Sequence, residues 1–298
     1  MSAFTIAAAQ YPIDEVRSFT EWEDKLARWV AEAKAGGASL AIFPEYGIME
    51  LTAANAKARD DLAYSLAWLS DHRSDIDAAH ERLAAEHHIH ICAASCPTRV
   101  GDASHNVARL FAPNRKMGEQ AKIVMTRFER EIWGVSGGRE LTLFDTALGK
   151  IGMSICYDSE FPMIARTLAE AGAKMLLVPS ATDGLTGYWR VRIGAQARAL
   201  ENQFYAVHSP TVGEAPWCPS LDSNRGAAGV YGPPDLGFPD TGVVALGNLD
   251  QPMWLFADVD LERVDSVRSE GAVFNHRHWN EQADQQLLGL PVTTLSLI

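Results

Sequence analysis

Three residues in this chain could do nucleophilic chemistry together, and each stands in or beside a short apolar run. Cys156 closes the run 151–155 and precedes a polar turn, Pro162 and a helical pattern over 163–171. A cysteine at the carboxyl end of a parallel strand, just before a helix, sits where α/β proteins place their ligands. The positive end of a helix dipole would favour a thiolate there. Glu45 follows Pro44, which stops a strand over 39–43, and Lys122 lies inside the mostly apolar stretch 120–125. A thiol attacking a carbonyl carbon needs a base for its proton and a cation or N–H donors for the oxyanion. Singly, each residue has a plainer reading. Cys156 is then a small buried hydrophobe, Glu45 a solvated loop carboxylate, and Lys122 an edge-strand lysine that discourages aggregation.

Four ordered blocks join these residues: Phe43-Pro44-Glu45; Lys122 with Glu129 and Glu131 downstream; Ile155-Cys156-Tyr157-Asp158-Ser159-Glu160-Phe161-Pro162; and Ala197-Arg198-Ala199-Leu200-Glu201-Asn202-Gln203. In this order they resemble the nitrilase, or carbon–nitrogen hydrolase, superfamily. The resemblance is collinear from Ala7-Ala8-Ala9-Gln10 to about Trp279. It implies an α/β fold, a four-layer α–β–β–α sandwich of two mixed sheets packed face to face with helices outside. It implies one catalytic domain over 1–279, with 280–298 as a tail that docks on another subunit, and a homodimer or larger homo-oligomer.

The resemblance also implies roles. Glu45 is base, then acid, then base; Cys156 is the nucleophile; Lys122 and the backbone N–H of Tyr157 hold the oxyanion. A second glutamate orients the lysine, and Glu129, seven residues after Lys122, is favoured over Glu131. The block after Cys156 looks closer to amidase and carbamoyl-amide hydrolase branches than to nitrile-cleaving ones. The expected reaction is hydrolysis of a small amide or N-carbamoyl compound through a thioester. Nitrile hydrolysis, acyl transfer to an amine and a non-catalytic binding role are the alternatives. Tyr46, Tyr157, Glu160, Thr182, Asp183, Tyr188 and Trp189 sit at or just past the strand ends and are the candidate substrate contacts. Arg190 stands where many relatives carry an acid.

The elements that must position these residues alternate at first. Strands are expected over 4–9, 40–43, 89–94, 106–112, 122–125, 151–156, 175–178 and 204–209. Helices are expected over 19–34, 60–87 (one or two), 163–171 and 189–201, from apolar residues at helical spacing. Arg198 and Glu201, three apart, read as a structural ion pair holding the last helix to the nucleophile strand. From 212 to 239 glycine and proline become frequent, and short apolar runs at 228–231, 243–246 and 254–257 read as hairpins and loops. Ser136-Gly137-Gly138 and Gly226-Ala227-Ala228-Gly229 match no phosphate-binding fingerprint and read as positive-φ turns.

Composition narrows the function classes. The net charge of −12 and scattered basic residues argue against a nucleic-acid surface. No apolar stretch approaches the roughly 20 residues needed to cross a bilayer. The first residues lack a basic region followed by an apolar one, so no signal peptide is expected. Four cysteines show no metal or disulfide spacing, which suits a reducing cytoplasm. His88 and His90 would share one face of a strand, but zinc needs three or four convergent ligands. No metal or cofactor is expected; the expected partner is a small-molecule amide.

Overall fold

The computed structural model describes residues 3–282 and Leu295. Its first strand, Ala3–Pro12, is buried on both faces. Ile6 and Ala8 enter one apolar cluster, Ala7 and Ala9 the other, as the two-residue period of a strand requires. It pairs parallel with Ala38–Ile42 and antiparallel with Met253–Asp260. His90–Cys92 extends this leaf, pairing parallel with Ala38–Ile42. Ala103–Phe111 pairs antiparallel with His90–Cys92, Cys96–Val100 and Met117–Ala121.

A second leaf has Tyr205–Glu214, Met175–Ser180 and Gly149–Met153 in parallel at its centre. Gly229–Tyr231 and Val243–Leu246 on one side, and Phe144–Thr146 on the other, are antiparallel additions. The leaves are mixed sheets, as expected. They are also one continuous path, because Tyr11 and Pro12 pair with Thr211 and Val212.

Helices cover the outer faces. Phe19–Ala35 begins at Ser18, whose hydroxyl accepts the N–H of Glu21, and buries Trp22, Leu26, Val30 and Ala33. Each large side chain contributes roughly 2 kcal/mol on burial, against about 1 kcal/mol for the cap. Packing therefore holds this helix more than capping does. Arg73–Glu86 packs beside it. The second leaf carries Pro162–Glu170 and Leu185–Asn202, whose buried residues share a cluster with both sheets. The result is the four-layer α–β–β–α arrangement.

Several local expectations are corrected. The strand expected over 122–125 ends at Ala121. The Asp158 carboxylate takes the N–H groups of Ile123 and Val124 and so removes them from any ladder. The expected positive-φ glycines are not that: Gly137, Gly138, Gly226 and Gly229 lie outside the left-handed region. They are sites of close approach; a Cβ on Gly137 would stand 2.4 Å from the Ile123 carbonyl oxygen. His88 adopts φ of 49° before the strand His90–Cys92 begins, so the two histidines do not share a strand face. The run at 254–257 belongs to an eight-residue strand against the first one. The helix Leu261–Glu270 after it was not foreseen; its buried Leu261, Val264 and Val267, three apart, are its only apolar signal. Of the expected tail, 283–294 and 296–298 lie outside the described residues.

Candidate active site

Three loops at strand ends converge. Glu45 follows the strand Ala38–Ile42, and its loop is pinned where the Ser95 N–H donates to the Pro44 carbonyl and the Tyr46 N–H donates to Ser95 Oγ. Lys122 leaves Met117–Ala121 with its N–H on the Asn106 carbonyl (2.8 Å) and its carbonyl accepting from the Gly138 N–H (2.7 Å). Cys156 opens the 3-10 turn Cys156–Glu160. Tyr46 and Cys156 both take left-handed backbone, φ 54° and 50°. Non-glycine residues there cost of order 1–3 kcal/mol each and persist only when the surroundings over-determine them.

Asp158 is the clasp between two of these loops. Buried to 1% exposure, it accepts from Ile123 and Val124, which follow the lysine, and from Ile155, which precedes the cysteine. Ser159 Oγ donates to the Cys156 carbonyl (2.7 Å), and Arg198 donates to the Ser159 carbonyl (3.0 Å) while pairing with Glu201. The Arg198–Glu201 pair thus anchors its helix to the nucleophile turn.

At the centre, Lys122 Nζ donates to Glu45 Oε1 (2.8 Å) and Glu129 Oε2 (2.6 Å). Glu129 also accepts from Tyr46 Oη and from the N–H and Oγ1 of Thr126. Glu45 Oε2 accepts the Ala181 N–H (3.0 Å), and the Cys156 thiol points at the Ala181 carbonyl (3.7 Å). Glu131 instead pairs with Arg127 at the surface. The geometry therefore brings together Glu45, Lys122, Cys156 and Glu129.

Burial pushes the Cys156 thiol well above its ordinary pKa, and the adjacent Glu45 carboxylate pushes it further. Burial and a neighbouring anion thus work against the thiolate that a helix N-terminus would favour, which leaves the proton for Glu45 to take. Burial also raises Glu45, with the Lys122 ammonium only partly offsetting it. Burial acts against the Lys122 ammonium too, yet the two carboxylates outweigh it and hold the charge on. For Glu129, Lys122 and the Thr126 donors overcome burial and keep the carboxyl ionised. The cluster is thus a neutral thiol beside a base of raised affinity, with a fixed cation. An ammonium has three donors, and two are used here; the third can face developing charge.

These residues form the floor of a cleft of about 530 Å³. Of the candidate contacts, Tyr46, Tyr157, Glu160, Thr182 and Asp183 line it. Tyr188 and Trp189 do not. Tyr188 is buried against His208, and Trp189 is exposed beneath Arg192. Gly187, Arg190 and Val191 line the cleft in their place. Among the described residues no three His, Cys, Asp or Glu side chains cluster as metal ligands, and no helix is long and apolar enough to cross a membrane.

Residues 5–269 match the carbon-nitrogen hydrolase family model. The chain belongs to the carbon–nitrogen hydrolase family. It is 34% identical over 268 residues to a Bacillus subtilis (strain 168) protein named probable hydrolase YhcX, covering 90% of this chain and 52% of that one. It is 36% identical over 153 residues to the deaminated glutathione amidase of Dictyostelium discoideum, 49% of this chain and 47% of that one. The chain thus spans about half the length of these relatives. The fold superposes on a carbon-nitrogen hydrolase from Helicobacter pylori G27 with a TM-score of 0.73, 20% identity, and 90% and 92% of the two chains covered. An amidase from Nesterenkonia sp. AN1 gives 0.69, 20% identity, and 94% and 98%.

This carbon–nitrogen hydrolase family member also has site residues that the sequence reading passed over. Trp133 meets Tyr46 edge-on, Phe128 and Arg127 line one wall, and 219–223 another. Asn106 lies beneath the floor, touching both glutamates. Gly194 packs on the cysteine turn: a Cβ there would stand 2.9 Å from the Ser159 carbonyl oxygen, where backbone cannot yield cheaply. Gly194→Ala should lower stability by about 1–3 kcal/mol, read as a lower melting temperature, and reduce turnover by shifting the cysteine turn. An unchanged melting temperature would mean that the helix does not brace this turn.

Proposed function

We propose that the chain hydrolyses the C–N bond of a small amide or N-carbamoyl compound through a thioester on Cys156. The observation that carries this is Glu45, hydrogen-bonded to Lys122 and to the Ala181 N–H, beside a cysteine at the floor of the cleft. The thiol proton passes to Glu45 as Sγ bonds to the substrate carbon. Lys122 and the Tyr157 N–H stabilise the oxyanion; the first N–H groups of a helical turn have no partner within it. The C–N bond breaks, and Glu45 returns the proton to the departing ammonia or amine. Glu45 then takes a proton from water, and the resulting hydroxide adds to the thioester carbon. The C–S bond breaks, the acid leaves, and the proton returns to sulfur.

The cleft volume suits a small ligand, within the usual 300–1,000 Å³. Relatives named for amide chemistry support the reading: the deaminated glutathione amidase and the Nesterenkonia amidase, a double mutant of which was solved in complex with acrylamide. The test is ammonia release from amides, N-carbamoyl amino acids and nitriles. Cysteine-dependent release from amides or carbamoyl compounds is expected. Release confined to nitriles, or none at all, would overturn the reading.

Charge narrows the substrate. At the rim Arg190 pairs with Glu160 and Arg127 with Glu131, while Asp183 and Asp222 have no ion-pair partner among the described residues. Substrates with a neutral or amine-bearing far end should be preferred to carboxylate-bearing ones. Asp183→Asn should reduce kcat/KM for an amine-bearing amide by about two- to fivefold at low salt, the scale of an exposed charge pair, and less at high salt. Equal rates on carboxylate- and amine-bearing amides would refute this preference.

A further inference from the structure

Asn106 sits on the strand Ala103–Phe111, fully buried, and its backbone carbonyl already holds Lys122. Its side-chain Nδ2 donates to Glu45 Oε1 (2.8 Å) and reaches Glu129 Oε1 (3.3 Å). Its Oδ1 is buried with no hydrogen-bond partner among the described residues. Buried polar atoms are nearly always satisfied. This amide therefore keeps an orphaned acceptor in order to place its donor.

The oxygens it serves do not depend on it for a partner. Glu45 Oε1 also accepts from Lys122, and Glu129 Oε1 also accepts from Tyr46. What Asn106 adds is occupancy. A carboxylate oxygen has two acceptor sites. On Oε1 of Glu45, Asn106 and Lys122 take both. On Oε2, the Ala181 N–H takes one and leaves one open.

We propose that Asn106 is a positioning residue that, with Lys122, fills Glu45 Oε1 and so makes Oε2 the single oxygen exchanging protons with Cys156. In that exchange the S–H bond breaks, an Oε2–H bond forms, and the electron pair stays on sulfur for attack. Oε2 is the right oxygen because Ala181 holds it with its N–H and receives the thiol on its carbonyl. The inference rests on the hydrolase reading for its consequence in turnover, but not for its effect on Cys156.

The titratable groups facing Glu45 are Lys122, Glu129 and Cys156, with the neighbouring Tyr46. None is altered by Asn106→Leu, which keeps the volume and removes the amide. Loss of one donor to an ionised carboxylate should move the acidic limb of Cys156 alkylation by iodoacetamide to higher pH, by about one unit. Turnover on the best amide should fall about 10- to 100-fold, mostly in kcat, because Oε1 can then compete for the proton. The melting temperature should stay level or rise, because the orphaned Oδ1 is gone. A purely structural asparagine would give the reverse pattern, with a lower melting temperature and an unshifted alkylation profile. That result would overturn the proposal. If Asn106→Leu does not fold, Asn106→Ser carries the same alkylation test. An unshifted limb there overturns the proposal equally. A shifted limb without turnover in the parent protein would uphold the Asn106 role and reject the hydrolase reading.

Discussion

Cys156→Ala is expected to abolish both ammonia release and any covalent adduct, leaving turnover at background. No other described cysteine can replace it: Cys92, Cys96 and Cys218 are all buried within the core, Cys218 with its sulfur against Ser220 Oγ. The fold should survive. The substitution removes one sulfur whose polar contacts among the described residues are the long one to the Ala181 carbonyl and the one to Glu45. Stability should change by no more than about 1 kcal/mol. Intact-mass spectrometry of the parent protein with substrate should show an acyl adduct that the variant lacks. Residual cysteine-independent ammonia release of even a few per cent would exclude Cys156 as the obligatory nucleophile. An adduct discharged by added amines faster than by water would shift the reaction toward acyl transfer.

Lys122→Met, close in volume, should be the second large effect and the more revealing one. It removes the cation that sits between two buried carboxylates, each within 2.8 Å of Nζ. Breaking such a buried arrangement costs about 3–5 kcal/mol. Loss of an oxyanion donor costs about 3–4 kcal/mol more in the transition state, roughly 10²–10³ in kcat. Near-normal kcat would show that Lys122 does not contact the developing charge. The pH dependence separates the two effects. Without Lys122, the burial that raises Glu45 is opposed only by its remaining hydrogen bonds, and Glu129 loses the charge that does most to hold it down. Both carboxyls then keep protons to higher pH in the folded state than in the unfolded chain. A folded state that binds more protons gains stability as pH falls. The variant's melting temperature should therefore climb from about pH 8 towards about pH 5, closing on the parent's. In the parent, Glu129 works the other way: its lowered pKa stabilises the fold above the unfolded value, and that contribution is lost on acidification.

The floor of the site was legible through the four ordered blocks taken together, and the structure puts each member just past a strand end. Glu45 follows a proline stop, Cys156 ends an apolar run, and Lys122 leaves the sheet beside an asparagine-bearing strand. Glu129 was preferred to Glu131 through the family resemblance, in which a glutamate follows the lysine at this distance, and Glu129 is the one that bonds Lys122. The walls were not. Tyr188 and Trp189 were assigned by closeness to the strand end, but the helix starts at Leu185. At 100° per residue, Gly187, Arg190 and Val191 then share the cleft face and 188 and 189 turn away. Trp133 and the segment 219–223 lie on loops whose paths are set by tertiary contacts. Asn106 was hidden as one polar residue inside a strand. Nothing local distinguishes such a residue from a surface position; only the partner strands do.

Ala181 has a consequence for how this protein could be altered. It binds Glu45 and Cys156 solely through its own N–H and carbonyl, and it is one of the residues lining the cleft. Main-chain bonds are the same whichever side chain the codon specifies. Position 181 is therefore a place where the substrate's fit can be retuned, residue by residue, with the proton-transfer apparatus left in register.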